Sequence, residues 1–518
     1  MTAARLCVKP PFAPPLRATA ALAALALLAG CTTFSADGGF GTVASTATGR
    51  LGRDALYVRS DADRQTVEQR TRELIAQPLS SDDAVQLALL NNRALQASYA
   101  ELGIAEADLV QAGRLPNPGF SFSRTRQDGN LSIERAITLP LMGAIALPMA
   151  SKIEGRRFEQ TKLQAADAML KTAADARRAY VEAVAAEQGA RYARQVEDAA
   201  QASAELAQRL RSAGHYSRLD AVREQAFYAE AAATLARTRQ QALAAREKLT
   251  RALGLAGPAA QYRLPERLPD LPPSQPALAH LERYAMENRL DIQAEKLRVQ
   301  SVASSLGLTR ATRFVNALQV GYLDNFATDS GTERGYQISI EVPLFDWGGA
   351  KVARAQALYL QAVNRLGQTA IDARSDVRES YAAYTAGYAL ATHYRDEVVP
   401  LRKTISDEML LRYNGMLASV FELLADARDQ VGAVNGYLDA LKGYWLADAD
   451  LRQALGGRLP ASADVVSQAS SGSSASANAS MPSTPSMPSM PSMPSMPSTP
   501  SMSPASSASA APSSPRGQ

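Results

Sequence analysis

The sequence predicts a mainly α-helical chain that also carries four membrane β-strands. Three observations lead there: an export signal ending at a cysteine, one pattern written twice along the body, and very long alanine-rich helical stretches beside short alternating strands.

At the N-terminus, Arg5, Lys9 and Arg17 accompany an apolar run from Ala18 to Leu28. That run is too short to span a bilayer as a helix, so residues 1–30 read as a removed signal. It ends in Leu28-Ala29-Gly30-Cys31, which resembles the lipobox of bacterial lipoproteins, where the cysteine thiol carries diacylglycerol. Cys31 is therefore the expected lipidation site, and Thr32 in place of an aspartate points to the outer membrane. An ordinary signal that stops beside a cysteine is the alternative. Cys7 leaves with the signal, so no disulfide within the chain and no catalytic thiol is expected. No later run is long and apolar enough for a membrane helix, so any spanning must use strands.

Lys and Arg number 55 against 51 Asp and Glu, interleaved along the chain. Nucleic acid, which calls for a basic stripe, is not an expected partner. Few aromatics and abundant alanine suit long, closely packed helices.

The body repeats itself. Ala88-Leu-Leu-Asn-Asn-Arg-Ala-Leu-Gln-Ala97 returns as Ala285-Met-Glu-Asn-Arg-Leu-Asp-Ile-Gln-Ala294, Ile137-Thr-Leu-Pro-Leu141 as Ile340-Glu-Val-Pro-Leu344, and Leu210-Arg-Ser-Ala-Gly214 as Leu411-Arg-Tyr-Asn-Gly415. The near-constant offsets of 197, 203 and 201 residues mark a duplication. After an anchor and linker segment over 31–80, the first repeat covers 81–256 and the second 281–457. A proline-rich linker over 257–280 joins them.

Each copy reads helix, two strands, long helix, turn, shorter helix. In the first, a helix runs from Ser81 to Arg114, capped by Ser81 or Asp82 and stopped by Leu115-Pro-Asn-Pro-Gly119. Phe120 and Phe122 then alternate with serines, and Leu131, Ile133, Ile137 and Leu139 alternate with polar or small residues. Arg135 interrupts that apolar face. In the second copy Leu318, Val320 and Tyr322 share one face. Beyond a polar loop through Asp329 and Arg334, so do Tyr336, Ile338, Ile340 and Val342. Strands of nine or ten residues, apolar on one side and polar on the other, fit a membrane barrel, although a half-buried soluble sheet alternates in the same way.

Ser151 to Arg211 contains no proline, and Leu163, Ala166, Leu170 and Ala173 recur at helical spacing. Val363, Leu366, Ala370, Ala373 and Val377 do the same in the second copy. Such helices reach about 90 Å, a length that suits a tunnel or a stalk. Both end at a glycine, Gly214 and Gly415, which would take the left-handed conformation, with Ser217 and Ser419 placed to cap the returning helices.

These residues resemble the TolC family of outer-membrane efflux proteins over roughly 75–457. The carriers are the two Ala88–Ala97 and Ala285–Ala294 stretches, Val342-Pro-Leu-Phe-Asp-Trp-Gly-Gly349, and Tyr413-Asn-Gly-Met-Leu-Ala-Ser-Val-Phe-Glu-Leu-Leu-Ala-Asp-Ala-Arg428. The resemblance implies a homotrimer in outer-membrane lipid. Each chain would give four strands to a twelve-stranded barrel above a long periplasmic α-helical barrel. It also implies a passive export channel served by a periplasmic adaptor protein and an inner-membrane pump. The tips, around Gly214, His215, Ser217, Gly415 and Ser419, would meet those partners. The entrance acids would match Glu422, with Asp426 one turn on, and Asp220 in the first copy. One extra residue lies between Gly415 and Glu422 compared with the family pattern. A solvated helix face is the bland alternative for each acid.

Trp347 is placed for an interfacial anchor and Trp445 for packing between helices. His215, His280 and His393 lie apart, and no catalytic, metal or phosphate-loop constellation appears, so neither an enzyme nor a cofactor is expected. The Ser/Ala/Pro/Met-rich tail over 458–518 is too poor in core-forming residues to fold. Its methionines, Met481, Met487, Met490, Met493, Met496 and Met502, could ligate Cu(I) or simply belong to a spacer. Two other function classes stay open: a lipid-anchored adaptor or scaffold without a pore, and the outer channel of a protein secretion system.

Overall fold

The computed structural model describes residues 33–460 except 128, 276, 277, 279, 315, 316 and 342–344. Cys31, the tail methionines and Val342-Pro-Leu344 lie outside the described residues.

A short helix α1, Gly41–Thr46, runs into a π-turn, Ala47–Leu51, and is followed by α2, Asp61–Ile75. The segment expected as a linker thus contains helices, and Val43 and Ala47 are fully buried. Next come α3, Ser81–Asn91, and α4, Arg93–Ala112. They replace the single expected helix, because Asn92 is extended (φ −66°, ψ 114°) and its side chain caps α4 at Leu95 N. The cap of α3 is Ser80, one residue earlier than expected, in a reciprocal capping box with Asp83. The second copy breaks at the equivalent Arg289, giving α7, Leu281–Asn288, and α8, Leu290–Thr312.

The strands are β1, Gly119–Gln127, β2, Asn130–Pro140, β3, Leu318–Ala327, and β4, Gly331–Ile340. They form one antiparallel sheet in the order β1-β2-β3-β4. The expected loop through Arg334 is shorter than the sequence suggests: Arg334 lies in β4, paired with Asp324.

From β2 the chain enters α5, Leu141–Ser212, a helix of 72 residues and about 108 Å. It begins ten residues before the expected start and accommodates Pro148, which leaves one helical carbonyl without its usual donor. The return helix is α6, Arg218–Leu253. In the second copy α9, Gly349–His393, passes through a π-turn, Tyr394–Val398, into α10, Val399–Asn414. Pro400, with no N–H to offer the preceding turn, explains why the wider turn falls there. The chain returns as α11, Val420–Ala454.

Ala166, Leu170 and Ala173 of the first helical stripe are buried. In α9 Ala373 and Val377 are buried, but Val363 is exposed and Ala362 takes the inward place. The core gathers where α3, α5, α6, α9 and α11 meet, around Leu87, Tyr180, Leu249, Tyr384 and Tyr444. A second cluster holds Val43, Val85, Tyr99 and Met169. The proline-rich segment joins the first cluster through Tyr262, Leu268 and Leu271.

Candidate gate at the helical tips and a sheet with one apolar face

The two tips share a geometry that is shifted by one residue in sequence. In the first, Gly214 has φ +78°, and His215 N donates to Leu210 O at 2.9 Å. Ser217 then caps α6 at Asp220 N, and its hydroxyl donates to Asp220 Oδ2 at 2.6 Å. In the second, Gly415 has an ordinary φ of −80°, and Met416 takes the left-handed place at φ +58°. Leu417 N closes that turn on Arg412 O at 2.8 Å. The expectation that Gly415 is the left-handed residue is therefore corrected to Met416. Counted from Met416, Ser419 and Glu422 stand where Ser217 and Asp220 stand after Gly214. This accounts for the extra residue.

Glu422 accepts hydrogen bonds from Ser419 N at 2.8 Å and Ser419 Oγ at 3.0 Å. The backbone bond comes first among the causes that hold its carboxyl below the usual range. Asp220 also faces Arg223 at 3.3 Å. Glu422 closes a capping box with Ser419, whereas Asp220, among the described residues, accepts only from the Ser217 hydroxyl and Arg223; Asp426 takes part in no cap. It is buried on α11, and its Oδ2 has no hydrogen-bond partner among the described residues.

A contact that the sequence reading missed joins the hairpins. Glu224 of α6 is only 1 % exposed and accepts from Arg428 Nη2 of α11 at 2.7 Å. Its other oxygen accepts from Ser203 Oγ of α5 at 2.8 Å. The Arg428 guanidinium lies 4.5 Å from the Phe227 ring centre, and Arg223 lies 5.4 Å from that of Phe421. Glu224 shares the buried stripe of Ala221, Ala231 and Leu235, so a carboxylate at apolar spacing was the signal available in the sequence. Beside this pair lies a cleft of about 880 Å³ lined by Tyr192, Phe227, Glu230, Asn435 and Asp439. At the far point of the second tip, Met416 is 94 % and Leu417 83 % exposed.

In the sheet, paired residues share a face, so the register sorts the side chains. One face carries the rows Leu139-Val320-Ile338 and Phe120-Ile137-Tyr322-Tyr336. Tyr336 is 85 % exposed, and Phe120, Ile137, Ile338 and Ile340 are exposed with it. The opposite face carries Gly119-Thr138-Gly321-Gln337 and Ser123-Glu134-Asn325-Glu333. Arg135, unexplained in sequence, pairs with Asp324 at 3.4 Å, and Arg334 reaches the same carboxylate at 3.1 Å. Below the sheet, Trp347 packs edge-on against Phe314, and both are exposed. Trp445 is half-buried and donates to Pro269 O at 3.0 Å.

No helix among the described residues is long and apolar enough to cross a membrane. No group of three potential metal ligands occurs among them either. His280 and His393 stand away from the tips, the latter 3.2 Å from Glu397.

The model of the outer membrane efflux protein family matches residues 84–255. No curated protein matches the chain. Among solved structures, the CmeC outer membrane channel of Campylobacter jejuni matches with a TM-score of 0.64 and 14% identity, over 81% of this chain and 92% of that one. The outer membrane protein VceC of Vibrio cholerae matches with a TM-score of 0.61 and 17% identity, over 73% and 97%. The open state of the MtrE outer membrane channel of Neisseria gonorrhoeae matches with a TM-score of 0.60 and 19% identity, over 73% and 88%.

Proposed function

Since residues 84–255 of this chain match the outer membrane efflux proteins and its fold is that of outer-membrane channels, we infer that it is the channel subunit of a tripartite export system. The observation that carries this reading is the sheet. Its four strands expose one apolar face and leave the outer edges of β1 and β4 unpaired. Unpaired edges are not tolerated in hydrocarbon, and four strands cannot close a pore. Three chains supply twelve strands and no edges. Exposed Leu358, Leu360, Ile371 and Leu390 along α9 give the helices apolar surface for the same assembly.

Within the trimer the polar strand face lines the pore and the apolar face meets lipid, with Trp347 and Phe314 at the periplasmic interface. Cys31 carries the lipid anchor. Substrates pass without chemistry, delivered by an inner-membrane pump through a periplasmic adaptor, as small toxic compounds or metal ions. The tips, Gly214, His215 and Ser217 with Gly415 and Ser419, meet these partners, and exposed Met416 and Leu417 supply apolar contact. The buried Glu224–Arg428 pair ties the hairpins together and favours the closed entrance, where Asp220, Glu422 and Asp426 bring carboxylates to three-fold proximity.

The test is the native mass of protein extracted by detergent from outer-membrane fractions, followed by conductance in a planar bilayer. A conducting trimer is expected. A monomer released without detergent would leave the lipid-anchored scaffold as the better reading.

A further inference from the structure

Near the β-turns the sheet separates charge by face. On the apolar side, the row above Phe120-Ile137-Tyr322-Tyr336 is Phe122-Arg135-Asp324-Arg334, and above it Arg124 and Arg126 continue β1 on the same face. Four arginines therefore stand against one carboxylate. The reverse side of the same region holds Glu134 and Glu333 and no basic residue among the described residues. Asp324 is shared by Arg135 and Arg334, and Arg124 and Arg126 have no carboxylate within ion-pair reach among the described residues.

A lipid-facing arginine costs about 2–4 kcal/mol at the bilayer midplane and little at an interface. Arg124 and Arg126 lie towards the end of β1 farthest from the helices, whereas Arg135, central in β2, and Arg334 lie one row nearer the helices, just beyond the Phe120-Ile137-Tyr322-Tyr336 row. Given the channel reading, on which this inference rests, Arg124 and Arg126 reach the outer leaflet's headgroup region, and the long side chains of Arg135 and Arg334 extend towards it from one row below. An excess of three positive charges per chain there calls for anionic partners. Guanidinium groups match phosphate oxygens bidentately, and the apolar rows beneath offer the acyl chains a surface. We propose that Arg124, Arg126, Arg135 and Arg334 form a belt that binds the phosphate groups of an anionic lipid in the outer leaflet. With β4 of one chain beside β1 of the next, the belt runs around the whole barrel.

The experiment uses the full-length trimer in detergent and lipid A carrying two phosphates, one or none, with bound lipid counted by native mass spectrometry. The wild type is expected to prefer the phosphorylated forms. Arg124→Gln/Arg126→Gln is expected to weaken that binding roughly tenfold or more, with phosphate-free lipid unaffected. Arg126→Gln alone, at the strand end, serves if the double variant does not trimerise, and is expected to show a smaller loss in the same direction. Equal retention of all three lipids, or equal retention by wild type and variant, overturns the proposal. So does full displacement by millimolar inorganic phosphate, which would mark a free-anion site. A wild type that forms no trimer fails the channel reading itself, whereas a trimer without phosphate preference fails only the belt.

Discussion

Met416 holds a conformation that costs an L-residue about 1–2 kcal/mol, in a turn whose first-copy counterpart uses Gly214. Met416→Gly is expected to stabilise that tip by about 0.5–1 kcal/mol after the extra entropy of glycine is subtracted. Slower hydrogen exchange at Leu417 would report it. On the proposed reading, Met416→Gly would also weaken partner binding, because the exposed thioether is lost. A larger effect is expected at Arg428. Removing it strands the buried Glu224 carboxylate, at a cost of about 3–5 kcal/mol, so Arg428→Ala should loosen the hairpins and raise single-channel conductance. Glu224→Leu/Arg428→Leu should restore thermal stability towards the wild type while leaving the entrance easier to open. A double variant as unstable as the sum of the single ones would show that the pair is not coupled.

Among the elements, the tightest approach is at the end of α6. Gly254 has φ +70°, and a Cβ there would lie 2.5 Å from Asn91 O and 2.8 Å from Asn92 Cα. Gly254→Ala is expected to cost about 3 kcal/mol, combining overpacking with backbone strain, and to lower the protein's thermal midpoint. Asn92 is held there as well, with its Nδ2 donating to Ala252 O at 3.1 Å. The adjacent Asn91 and Asn92, both cap-favouring residues, were the local signal for the break between α3 and α4; the docking of α6 on Asn92 is the part no local pattern shows. Strand faces and long helices were legible because alternation and 3.6-residue spacing are local. The Asp324 partner of Arg135, the Glu224–Arg428 pair and the inward turn of Ala362 depend on segments far apart in sequence. The left-handed Met416 was hidden by the adjacent glycine, which composition alone favours for that role.

For the whole molecule, the tail is expected to contribute nothing to assembly. A chain lacking residues 467–518 should run as the same trimer with an unchanged thermal midpoint, and loss of trimer would give the tail a structural part. The duplication is visible in structure as well as in sequence: the aligned motifs break at the equivalent Asn92 and Arg289, and both copies cap the returning helix three residues after a left-handed residue. What differs between the copies is what each tip offers a partner, His215 and Tyr216 in one and Met416 and Leu417 in the other.

The pairing of β2 with β3 joins Pro140 to Gln319, across the whole first hairpin and the proline-rich segment. β1 with β2, and β3 with β4, need only short turns. Closing the longer loop is entropically slower, so the order of events during folding is set by the topology. The helical hairpins and the two small β-hairpins, closed by short loops, are expected to form first. The β2–β3 pairing, which closes the longest loop, is expected to follow the packing of the intervening helices. On that order the apolar face of the sheet is complete only after the helices have packed, and pulse-labelled hydrogen exchange showing β2–β3 amides protected before those of α5 would overturn it.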